Sequence, residues 1–207
     1  MKRLLLLVVC VSVFALPAAA QPPATGAGST ADPFSKMLKT SFDTAARYLA
    51  RSAEKMPEAN FAFKPTPEVR SFGEILGHVA NSHYSYCSRL KGEKNPNEGN
   101  NIEQKTAKAD IVKALNDSIA YCTAVYADMT DTKALEMMAP PPPAPPAPPA
   151  GGAVVGQPPP APRPAPAPSP RLRLLLGNVT HDQEHYGNLV TYLRLKGIVP
   201  PSSEPSR

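Results

Sequence analysis

Four stretches of roughly 20 residues carry apolar side chains at helical spacing, breaker-rich joints separate them, and no run alternates as a strand would. Together these predict an all-α chain, a single four-helix bundle over residues 32–201, interrupted by a disordered Pro/Ala-rich insertion before the last helix. No internal repeat or glycine-rich phosphate loop points to another architecture.

Ahead of the bundle, Lys2 and Arg3 precede an apolar run from Leu4 to Leu16 and the small residues Ala18-Ala19-Ala20, the order of an export signal over residues 1–20. The run is shorter than the roughly 20 residues that span a bilayer. Val9 ahead of Cys10 is not the small residue that a lipid-attachment site needs. A periplasmic or secreted protein with no stable membrane anchor is expected.

The first helix starts at Asp32-Pro33, a favourable cap followed by proline in the first turn, and aligns Phe34, Leu38, Phe42, Ala45, Leu49 and Met56 on one stripe. It ends near Pro57. The connector Asn60 to Glu68 holds Pro65 and Pro67, which favour extended or turn backbone. Ser71 with Glu74 three residues later is a capping box, opening a second helix that runs to about Lys91 with Phe72, Ile75, Leu76, Val79, Tyr86 and Leu90 inward. Gly92 closes it. The polar, Asn-rich stretch from Glu93 to Gln104 has no apolar period and reads as a loop. A third helix, about Ala107 to Met129, aligns Ile111, Leu115, Ser118, Cys122, Val125 and Met129. Residues 140–170 are almost wholly Pro, Ala and Gly, a composition that favours extended polyproline backbone and offers little side-chain area to bury. The last helix runs from about Arg171 to Lys196, where Gly197 and Pro200-Pro201 stop it.

The 27 prolines therefore mark an insertion rather than an unusual fold. The formal charge of +5 is not gathered into a patch with interleaved aromatics and Trp is absent, which argues against a nucleic-acid partner. Beyond the leader the chain has two cysteines, Cys87 and Cys122, both on predicted helices. If those helices are antiparallel neighbours, a disulfide between them contributes about 2–4 kcal/mol. The other reading is a pair of small buried hydrophobes.

Of four histidines, His181 and His185 lie one helical turn apart in Gly177-Asn178-Val179-Thr180-His181-Asp182-Gln183-Glu184-His185-Tyr186-Gly187-Asn188. Residues four apart differ by about 40° around a helix, so both imidazoles can face one cation. His78 and His83 differ by about 140°, so only one can join the pair, and His78, at the edge of the apolar face, is the better ligand. His83 reads as a packed histidine. Three imidazoles leave coordination positions open for water or substrate, as in reactive rather than structural sites. Glu184 is the candidate general base and Asp182 a candidate acceptor behind the ligands. The run also spells H-x-x-E-H, the inverted zinc-peptidase motif. Those peptidases need a carboxylate ligand from a downstream segment, and after His185 only Glu204 remains.

The segments Phe63-Lys64-Pro65-Thr66-Pro67-Glu68-Val69-Arg70-Ser71-Phe72-Gly73-Glu74-Ile75-Leu76-Gly77-His78-Val79-Ala80 and His181 to Pro201 resemble the DinB-like superfamily of metal-binding four-helix bundles. The resemblance is close over the second and fourth helices and rests on pattern alone over the first and third. It places the family's three metal ligands on His78, His181 and His185, and implies a divalent ion (zinc, nickel or iron) and often a homodimer. Relatives include thiol S-transferases and a thiol-dependent isomerase, in which the metal holds a cofactor thiol as thiolate. The leader and the Pro/Ala insertion depart from the usual member. Two functions are expected from these features. One is a metal-dependent enzyme, hydrolase or thiol-transferase-like, acting on a small molecule. The alternative is a non-catalytic exported protein that binds a metal or ligand.

Overall fold

Capping signals and apolar spacing place the helices almost to the residue. The computed structural model describes residues 31–140 and 167–205, so the leader and most of the Pro/Ala insertion lie outside the described residues. The long helices are α1 (Pro33–Lys55), α2 (Phe72–Lys91) and α3 (Lys108–Ala127); after a short α4 (Asp131–Leu135) comes α5 (Arg171–Leu195). The capping box of α2 forms in full: the Glu74 amide donates to Ser71 Oγ at 3.2 Å, and the Ser71 amide to Glu74 Oε2 at 2.6 Å. Gly92 closes α2 at φ 71°, a left-handed turn that favours glycine.

Three local expectations change. Asp32 does not cap its own helix: it sits at φ 61°, and the Phe34 and Ser35 amides donate to the carboxylate of Asp131 instead. Asp32 in turn accepts from the Asp131 amide, at 2.8 Å, so the two aspartates serve each other's first turns. Phe34, assigned to the inward stripe, is exposed at the helix start. The third segment breaks at Ala127, and after α4 Met137–Met138 (β1) pairs antiparallel with Ser169–Pro170 (β2), holding the two ends of the insertion together.

Helix direction is the larger finding. One apolar cluster takes Leu49 and Ala53 from the end of α1, Met56 just after it, and Leu189 and Leu193 from the end of α5, but Phe72, Leu76, Ile111 and Leu115 from the starts of α2 and α3. The other cluster takes Leu38 and Phe42, Leu174 and Leu175 from the starts of α1 and α5, and Cys87, Leu90, Cys122 and Tyr126 from the ends of α2 and α3. α1 and α5 thus run one way, and α2 and α3 run the other, side by side. The stretch 92–107 must therefore return along the whole of α2. Its 16 residues can reach roughly 50 Å, against roughly 30 Å for the 20 residues of that helix.

Parallel α2 and α3 bring equivalent turns together, and Cys87 and Cys122 form a disulfide with Cα atoms 5.5 Å apart. The bridge joins parallel neighbours, not the antiparallel pair expected from the sequence. One turn earlier on both helices, between the two apolar clusters, lies a buried polar layer. His83 Nε2 meets both Asp182 oxygens at 3.0 and 3.1 Å, and His83 Nδ1 lies 3.0 Å from Ser118 Oγ. All three residues are fully buried, and they satisfy one another where an unpaired polar group would be costly.

Candidate metal centre

His78 projects from α2, and His181 and His185 from α5, two helices packed against each other. Their imidazoles converge: Nε2 of His181 lies 3.1 Å from Nε2 of His78 and 3.2 Å from Nε2 of His185. Ligand atoms 2.0–2.1 Å from a tetrahedral zinc ion stand about 3.3 Å apart, close to this spacing. The three residues form a group that could hold a metal ion. Ser82, one turn beyond His78, brings its hydroxyl within 3.3 Å of His181 Nε2.

The donor set suits a cation. Burial, followed by the neighbouring His185, lowers His181 from 6.5 to about 4. Burial, followed by His78 and Arg70, lowers His185 to about 4. Both rings are therefore neutral at pH 7, and neutral imidazole is the form that binds metal. Their Nδ1 atoms are buried and have no hydrogen-bond partner among the described residues. His78 differs: its Nδ1 lies 3.3 Å from Glu103 Oε2.

Glu103 is the residue that the sequence left unassigned. It belongs to a single 3-10 turn, Ile102–Gln104, in the returning crossover. Ile102 is buried in the core and anchors the turn, the Asn81 side chain accepts from the Ile102 amide at 3.1 Å, and Asn101 accepts from the Glu103 amide at 3.1 Å. Gly77 supplies the room: a Cβ there would sit 2.7 Å from both Glu103 Cα and the Ile102 carbonyl oxygen. A glycine inside a helix and an isolated isoleucine in a polar run were the available signals.

The other candidates fall as follows. Glu184 is exposed and makes no hydrogen bond or ion pair among the described residues, so the carboxylate brought to the histidines is Glu103. Asp182 is buried behind the site, but its partner is His83 rather than a ligand histidine. His185 opens onto a cleft of about 700 Å³ whose walls include Arg70, Glu103, Asn188, Thr191 and Tyr192. Arg70 Nε donates to Glu103 Oε1 at 2.7 Å, and Tyr192 holds the Arg70 carbonyl at 2.6 Å. No helix among the described residues is long and apolar enough to cross a membrane.

A family model described as the DinB superfamily matches residues 41–189. No curated protein matches the sequence significantly. Among solved structures, a conserved protein from Enterococcus faecalis is similar over 78% of this chain and 96% of that one, at 13% identity and a TM-score of 0.56. A DinB-like protein from Bacillus cereus is similar over 80% of this chain and 95% of that one, at 12% identity and a TM-score of 0.57. At these identities the likeness is one of fold.

Proposed function

This chain belongs to the DinB superfamily, and on that premise we propose that it is an exported metal-dependent enzyme whose ion is held by His78, His181 and His185 and whose substrate is a small molecule. The observation that carries the reading is the opening of His185 onto a cleft beside the converged Nε2 atoms. A buried structural site would have no such access. Bound there, zinc, nickel or iron supplies a Lewis acid that makes a nucleophile available near neutral pH.

The chain's own residues divide the remaining work. His181 and His185 stay neutral, keeping their lone pairs free for the ion. Arg70, Asn188 and Thr191 give the cleft polar groups that can orient a ligand. Cys87 and Cys122 are bonded to each other, so neither supplies a thiolate, and a thiol nucleophile would come with the ligand. This favours hydrolase or thiol-transfer chemistry. Export is supported by the leader-like start and by that same disulfide, because structural disulfides persist in oxidising compartments.

Elemental analysis of untagged protein purified from the periplasm, beside His78→Ala, His181→Ala and His185→Ala, tests the reading. Near-stoichiometric zinc, nickel or iron in the parent, lost from each variant, is expected. A metal-free parent after supplementation, or unchanged metal in His185→Ala, overturns it.

A further inference from the structure

We infer that Glu103 is the positioning residue of this centre: it accepts the Nδ1–H of His78, fixing that ring in the tautomer whose Nε2 lone pair faces His181 and His185. The inference rests on the metal-binding reading for its consequence, and on geometry alone for the tautomer. Free histidine favours the opposite form, with the proton on Nε2, and an acceptor at Nδ1 selects the minority tautomer.

Glu103 is placed to be that acceptor. Its Oε2 lies 3.3 Å from His78 Nδ1, and its Oε1 takes 2.7 Å from Arg70 Nε, so the two oxygens have separate partners. The guanidinium orients the carboxylate by its hydrogen bond to Oε1 and leaves Oε2 to face His78. The backbone beneath it is held from three sides, by the Asn81 and Asn101 side chains and by the close approach that Gly77 permits. Among the described residues His181 and His185 have no comparable partner at Nδ1, so the outer contact of His78 is the one by which the protein sets ligand geometry. Outer contacts of this kind are worth about 10–100-fold in metal affinity.

The test compares the parent with Glu103→Ala and Glu103→Gln. Long-range ¹H–¹⁵N spectra of the metal-free protein report the His78 tautomer, competition with a chromophoric chelator reports zinc affinity, and circular dichroism confirms the fold. The parent is expected to show His78 protonated on Nδ1. Glu103→Ala should shift it toward Nε2–H and weaken zinc binding about 10–100-fold, and Glu103→Gln should fall between, since its amide oxygen can still accept. A folded Glu103→Ala protein with parental tautomer and zinc affinity overturns the inference. If the parent shows the Nδ1–H tautomer but binds no zinc, the tautomer assignment stands and the metal reading fails.

Discussion

The disulfide between α2 and α3 offers a prediction whose size follows from its position in the chain. Cys87 and Cys122 are separated by 35 residues, and the closed loop is the crossover plus parts of both helices. On the chain-entropy estimate, closing such a loop in the unfolded state removes about 13 cal/mol/K, or about 3.8 kcal/mol at 25 °C. With about 150 described residues in the folded unit and roughly 2.1 cal/mol/K of unfolding entropy per residue, that corresponds to a fall of roughly 12 °C in Tm. Reducing the parent protein is a cleaner perturbation than replacing the cysteines, because both sulfurs stay in their fully buried positions and no cavity is made. Protein unfolded and refolded with a phosphine reductant, then titrated with urea, should lose about 3.8 kcal/mol against the oxidised form. Since the bridge is buried, native protein should keep it until it unfolds. Two free thiols in denatured protein never exposed to reductant would refute the bridge, and a difference below about 1 kcal/mol would refute the loop-closure reasoning.

Three further outcomes are expected. Gly77→Ala gains about 1 kcal/mol of helix propensity, but its Cβ meets backbone at 2.7 Å, where overpacking costs about 1–3 kcal/mol; it should lower both the Tm and, by displacing Glu103, zinc affinity, and parental affinity would contradict the notch. Asp182→Ala leaves buried His83 without its acceptor and should cost about 1–3 kcal/mol in urea titration, whereas an unchanged midpoint would show the pair is not formed in solution. Metal-free protein should become less stable as pH falls from 6.5 toward 4. The unfolded chain takes up protons on His181 and His185 below their ordinary 6.5, but the native rings, lowered to about 4, do not. Equal or greater stability at pH 5 than at pH 7 would contradict this.

What the sequence determined by itself is what nearest neighbours along the chain decide. Helical period, the Ser71–Glu74 capping box, Gly92 as the stop of α2, and the pairing of His181 with His185 all depend on residues within one or two turns, and the structure repeats them. His78 was separable from His83 on the same ground, by angle around one helix, and the structure sets His78 beside the pair and packs His83 in the core. Only the tertiary structure decided the direction of α3, which turns a featureless Asn-rich loop into a crossover and puts Cys122 opposite Cys87. It also decided that Asp131 caps α1, that Asp182 serves His83, and that Glu103 rather than Glu184 reaches the histidines. The reason is physical: these contacts join residues 25 to 99 positions apart, and what brings them together is the burial of Ile102, Leu115 and their neighbours in a shared core, a property of the whole chain that no local window contains.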